Sequence, residues 1–303
     1  MYAGCRILKF RDPTQRLTKK TTHVSLSKAE MKYPFLISIP HGGMEIPAEV
    51  AGRFALLDQE ISWYCDPATR TLFDFGRSVE AAIDTSVSRM VVDLNRPPLP
   101  LPPKDPDGII KVRTIDGRQV YRPGQMPDLP LIHQLLLKWY FPYHQHIDEL
   151  IDRYPVRIAF DCHSMLPYGS AEQNDAGKRR PLICLGNYGD ENGRSKTGSL
   201  TTCPPEWILH LADLFREEFQ EPGDVALNTP FSGGFISNAH YWRKGIPWIQ
   251  VEINRELYES GTFRVRHSAV TEERIPVLRR RIWRILARFW DDLPSAAPPG
   301  EKK

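Results

Sequence analysis

The chain of 303 residues lacks several things that would narrow its chemistry at once. It has no CxxC pair among its five cysteines, no GxSxG, no GxGxxG and no phosphate-cradling glycine loop. An odd number of scattered cysteines argues against a disulfide framework and for reduced thiols. No apolar run approaches membrane-spanning length, and the N-terminus has no apolar segment followed by a small-residue cleavage site, so a cytoplasmic protein without membrane contact is expected. Charge of one sign is also missing, because the formal balance is only +3. The basic runs Lys19-Lys20, Lys178-Arg179-Arg180 and Arg279-Arg280-Arg281 have no interleaved aromatics and read as solvated faces. Nucleic acid is therefore not an expected partner.

What is present is an ordinary globular composition, 41% hydrophobic and 25% charged. Residues 1–32 read as a polar N-terminal arm or short edge element, 33–293 as a single α/β domain, and 294–303 as a disordered tail. The 27 prolines concentrate at 97–106 and 123–130. The first stretch must be an extended surface loop, since proline fixes φ and lacks an N–H. Residues 111–127 beside it read as a short hairpin or lid. Short apolar runs predict buried strands at 35–39, 90–94, 157–161, 181–185 and 248–253. Helical spacing is found at 67–79, 131–153, 206–219 and 272–293; in the last, Ile275, Leu278, Ile282, Ile285, Leu286 and Phe289 form one apolar stripe. Strands alternating with helices predict a mostly parallel mixed sheet covered by helices on both faces, with sites at the carboxyl ends of its strands.

Five polar clusters fall at such ends. His41 follows an apolar run and precedes Gly42-Gly43, where the backbone can turn sharply. His163 lies beside Asp161, a carboxylate able to orient a ligating ring. Each is equally a hydrogen-bonded structural histidine when taken alone, but the two together point to a metal. Asp66 or Glu45 supplies a third ligand, leaving a position open for water; Asp66 also suits an N-cap before Pro67, and Glu45 an exposed loop. Arg89 and Asn95-Arg96 flank the run 90–94, and guanidinium groups there suit an anionic substrate or a polarised carbonyl, or else ion pairs with acids such as Asp93. Glu252 is the one acid in an apolar run. It either faces a cavity as a general base or pairs with Arg255. His240 follows the glycine-containing segment 233–238, a candidate wall of a substrate pocket. His144 and His146 are two residues apart in a helical segment and face different ways. Cys162 and Cys184 read as buried small hydrophobes.

The segments Ser38-Ile39-Pro40-His41-Gly42-Gly43, Asp66 with Leu72-Phe73, Ser88-Arg89, Val92-Asp93-Leu94-Asn95-Arg96, Asp161-Cys162-His163-Ser164-Met165 and Gln250 to Tyr258 resemble the N-formylglutamate amidohydrolase family. The resemblance runs from about residue 34 to 258. It implies a phosphorylase/hydrolase-like α/β fold related to zinc carboxypeptidases and aspartoacylases, a Zn2+ cofactor, and a small-molecule N-acyl amino acid substrate such as N-formylglutamate. It implies that His41, His163 and Asp66 hold zinc and that Glu252 activates a water. It further implies that Arg89 polarises the scissile carbonyl and that Asn95 and Arg96 bind a substrate carboxylate. His240 and Arg255 are added as substrate-binding candidates. Glu45, four residues after His41 where carboxypeptidases space their glutamate three, is the alternative to Asp66. Residues 99–130 and 189–202 depart from the family pattern and bear on the substrate. A peptidase on the same scaffold and a metal-free binding protein are the competing expectations.

Overall fold

A computed structural model describes residues 5–7, 32–220 and 223–294. Apart from Cys5–Ile7 and Lys32 the expected arm lies outside the described residues, as does the expected tail beyond Pro294. In chain order the elements are β1 (Cys5–Ile7), β2 (Tyr33–Ile39), α1 (Ala48–Ala51), α2 (Asp58–Tyr64), α3 (Thr69–Leu72), β3 (Val79–Thr85) and α4 (Leu129–Leu135). There follow α5 (Phe141–Arg153), β4 (Ile158–Met165), β5 (Ile183–Gly186), α6 (Pro205–Glu218), β6 (Val225–Leu227), α7 (Phe235–Lys244) and β7 (Trp248–Asn254), then β8 (Glu259–Thr262), β9 (His267–Val270) and α8 (Arg274–Asp292). No helix among the described residues is long and apolar enough to cross a membrane.

Seven strands form one sheet in the order β1-β3-β2-β4-β7-β5-β6. The run β3-β2-β4-β7 is parallel, β1 and β5 join it antiparallel, and β6 pairs parallel with β5. Both faces are covered, as their alternating side chains require. Phe35, Ile37, Phe160, Val251 and Ile253 pack with α6 and α8 on one side, while Leu36, Ala159 and Trp248 pack with α4, α5 and α7 on the other. The apolar stripe of α8 is buried on the first side, and Arg281 turns outward to Glu218.

Two expected elements are corrected. Residues 90–94 are a buried turn and not a strand, and the strand at that place in the sheet is β3, which begins where the expected helix 67–79 ends and is not among the expected strands. Burial in β3 alternates residue by residue, so its sequence shows a half-buried pattern. The continuous apolarity of 90–94 instead reflects complete enclosure beside Ile109 and Ile110. The helical stretch from 129 to 153 is interrupted by a π-helical turn, Leu136–Tyr140. That wide turn precedes Pro142, whose ring would meet the carbonyl of Lys138 in a regular helix.

The packing of α8 against the sheet generates the first prediction. Phe289 is fully buried and contacts Phe160 and Trp207 edge-on. Phe289→Ala should lower stability by about 3–5 kcal/mol, read as a lower midpoint in a urea titration.

Candidate metal centre and active site

The parallel register of β4 and β7 sets the site. It lays His163 beside Glu252 and Asp161 beside Gln250, all on the face away from α8. His163 is thus a strand residue, as Asp161 was expected to be, because β4 runs through to Met165. His41 arrives from the turn after β2. A Cβ at Gly43 would collide with the backbone of Ser86, so this loop lies flush against the segment after β3 only because residue 43 is glycine. Asp66 follows α2, and its backbone N–H donates to the carbonyl of His41 at 3.0 Å, fixing the two loops together.

His41, Asp66 and His163 converge with one ligand atom each, all within 4.8 Å of one another and all buried. The imidazole rings lie 4.7 Å apart at 60°. Nδ1 of His41 has no hydrogen-bond partner and lies 3.7 Å from Asp66 Oδ2, while its Nε2 donates to Asp93 Oδ1 at 2.7 Å. His163 is placed similarly, with Nδ1 hydrogen-bonded to Asp66 Oδ2 at 3.1 Å and Nε2 3.1 Å from both Asp161 Oδ2 and the Asn95 amide nitrogen. Each ring therefore has a carboxylate behind Nε2 and its Nδ1 turned inward, the arrangement that orients a metal-ligating histidine. An orphaned buried imidazole nitrogen facing a carboxylate fits a divalent cation with nitrogen and oxygen ligands. Asp66 is not an N-cap: α3 starts after Ala68, and the Thr69 hydroxyl bonds the Asp66 carbonyl, leaving the carboxylate for His163 and the Ser164 N–H. Glu45 is exposed, bonded to Ser86 at 2.6 Å, and outside this cluster.

Buried charge governs the surroundings. Burial pushes the Glu252 carboxyl up to about 7, and its described hydrogen-bond partner is Gln250, which donates to Oε1 at 2.7 Å. Arg255 does not pair with it; Arg255 binds Glu259 at 2.7 Å and the Trp63 carbonyl at 2.8 Å, and forms part of the cavity wall. Burial also works against ionised Asp93, but the charges of Arg89, Lys111 and His41 hold it well below the usual carboxylate range. Asp66 is likewise held low, burial opposing and the two imidazoles prevailing. Glu252, Gln250, Asp66 and the two imidazoles open into a cavity of about 370 Å³ lined also by Arg89, Asn95, Arg96, Arg113, Arg180 and Phe231, with Asp93 behind its wall.

The remaining expected residues divide. Arg89 is 20% exposed, donates to Asp93 at 2.9 Å and approaches Asp66 at 3.9 Å, so it meets both the cluster and the cavity. Arg96 is 34% exposed and its fork is held by Asp107. Asn95 lines the cavity, but its amide is engaged within the protein, donating to Asp161 at 3.0 Å and accepting from the Ile236 N–H at 2.8 Å. His240 is corrected: it is buried on α7 between His144 and Asp148 and is absent from the cavity wall. Four groups that matter here went unassigned in the sequence: Asp93, Asp107, Lys111 and Gln250. Asp93 was legible only as an ion-pair partner, whereas Gln250 shares a strand face with Glu252 by simple alternation.

A mostly parallel α/β sheet with two buried imidazoles, a carboxylate and a buried glutamate in one cavity defines a hydrolase-type enzyme. The sequence model of the N-formylglutamate amidohydrolase family matches residues 33–259, and the chain belongs to that family. The crystal structure of N-formylglutamate amidohydrolase from Ralstonia eutropha JMP134 is similar, with a TM-score of 0.64 and 21% identity over 86% of this chain and 93% of that one. A gene product of Agrobacterium tumefaciens gives a TM-score of 0.61 and 17% identity over 88% of this chain and 98% of that one. At these identities the two structures bear on the fold alone. No curated protein matches the chain.

The cluster predicts divalent-cation binding. Elemental analysis should find that His41→Ala, His163→Ala and Asp66→Asn each abolish a bound cation, while Glu45→Gln retains it. Retention in Asp66→Asn with loss in Glu45→Gln would transfer the third ligand to Glu45.

Proposed function

We propose that the chain hydrolyses the amide of an N-acyl amino acid, with N-formylglutamate as the expected substrate, using zinc held by His41, Asp66 and His163. The observation that carries this is the inward-facing pair of Nδ1 atoms around Asp66, next to Glu252 in a cavity rimmed by guanidinium groups. Two imidazoles and one carboxylate suit zinc better than calcium or magnesium, which take oxygen ligands. When bound, zinc supplies Lewis acidity that brings a water's pKa to roughly 7 and polarises a carbonyl. Membership of the family supports the reaction, hydrolysis of a linear amide to an acid and a free amine.

The protein's own groups account for the remaining steps. Glu252 accepts a proton from the attacking water and returns it to the leaving nitrogen. A carboxyl near 7 can do both at neutral pH. Gln250 occupies Oε1 and so fixes which carboxylate oxygen is left for the water. Arg89, charged and beside Asp66, stabilises the oxyanion of the tetrahedral species. Arg96 takes a substrate carboxylate in a two-point contact, and that carboxylate competes with Asp107 for the fork. Asn95 acts as a brace that ties Asp161, and hence His163, to the start of α7. Burial raises the thiols of Cys65 and Cys203 above their ordinary value, which suits unreactive cysteines in the cytoplasm, the proposed location.

The mechanism is tested at Glu252. Glu252→Gln keeps the side-chain volume and removes the proton acceptor. Turnover on N-formylglutamate should fall by roughly 10²–10⁴, with metal content and melting temperature near wild type and the Michaelis constant little changed. Near-normal turnover per folded molecule would remove Glu252 from the chemistry.

A further inference from the structure

The proline-rich segment 99–130 sends a charged side chain into the interior. Lys111 is 3% exposed; its ammonium donates to Asp107 Oδ1 at 2.6 Å and to the Asp107 carbonyl at 3.1 Å, and forms an ion pair with Asp93 Oδ2 at 2.9 Å. Lysine is seldom buried unless paired, so this placement needs a reason. The reason lies on the other side of Asp93, whose second oxygen accepts from Nε2 of His41 at 2.7 Å. A line of groups thus runs from the 99–130 segment through Lys111 and Asp93 to His41.

We propose that Lys111 is a positioning residue for the ligand His41, acting through Asp93, so that the 99–130 segment sets the affinity of the cation site. This rests on the metal assignment above. A ligating imidazole is oriented, and made a stronger donor to the metal, by the carboxylate behind it. That carboxylate must stay ionised and aimed while fully buried. Arg89 also pairs with Asp93, but its side chain is 20% exposed against 3% for Lys111, and it is the group assigned to the substrate's oxyanion. Lys111 is the more deeply buried of the two side-chain cations on Asp93 and has no part in the proposed chemistry. Its aim is fixed in turn by Asp107, which also grips Arg96.

The test is zinc affinity of the full chain, measured by competition with a chromophoric chelator, with melting temperatures followed in parallel. Lys111→Met should weaken zinc by about 10–100-fold, the range typical for loss of an outer partner of a metal ligand. Arg118→Ala is the control, because it breaks the ion pair with Glu60 that pins the same hairpin without touching Asp93. It should bind zinc as wild type does. If Lys111→Met does not fold, Lys111→Gln, which keeps a donor but no charge, carries the same expectation. Zinc affinity within twofold of wild type in the Lys111 variant overturns the proposal. Equal weakening in Arg118→Ala also overturns it, since general loosening of the hairpin would then be the cause. A wild-type chain that takes up no zinc overturns the metal assignment itself and this proposal with it, an outcome read before any variant is made.

Discussion

Four carboxylates, Asp66, Asp93, Asp161 and Glu252, are buried around one end of the sheet, and the cost of burying them organises everything nearby. An ion taken out of water loses several kcal/mol unless partners restore it. Asp93 has Arg89, Lys111 and His41. Asp161 accepts from Ser38 and Asn95 and lies against His163. Asp66 faces both imidazoles and the Ser164 N–H. Glu252 has the neutral Gln250 as its hydrogen-bond partner, and it is the carboxyl of this group that is pushed up. The same environment therefore separates acids that hold ligands from the acid able to move a proton, as division of labour between carboxyl groups requires.

The parallel register is what assembles these charges. With β4 and β7 in step, alternation puts Asp161, His163, Gln250 and Glu252 on one face, and the opposite face stays apolar against α6 and α8. The loops after β2 and β3 then need only deliver His41 and the Arg89–Arg96 segment to that face. The glycine at 43 permits this by letting the two loops touch.

Much of this was legible in the sequence because burial and chemistry leave marks there. Trp248–Asn254 and the α8 stripe were plain, since continuous apolar runs and a 3.6-residue period are local signals. The strand Val79–Thr85 was missed because its half-buried alternation, with Glu80 and Asp84 outward, gives none of the continuous apolar run by which the other strands were found. Residues 90–94 were misread because apolarity reports enclosure and not strand geometry. His240 looked like a pocket residue from its glycine-containing prelude, and only the packing of α7 on α5 reveals a buried contact with His144. Lys111 and Asp107 were invisible for a different reason. Their partners Asp93 and Arg96 lie before the proline-rich loop, and nothing local records where that loop returns.

The same segment reaches the proposed carboxylate-binding arginine, because Asp107 meets Arg96 with one carboxylate oxygen at Nη2 and with its backbone carbonyl at Nε. The central claim, zinc-assisted hydrolysis of an N-acyl amino acid, is tested most directly by formate release from N-formylglutamate on protein of known metal content. The account predicts about one zinc per chain, formate and glutamate in equal amounts, and loss of activity on chelation that added zinc restores. Undiminished formate release from protein stripped of metal would contradict it.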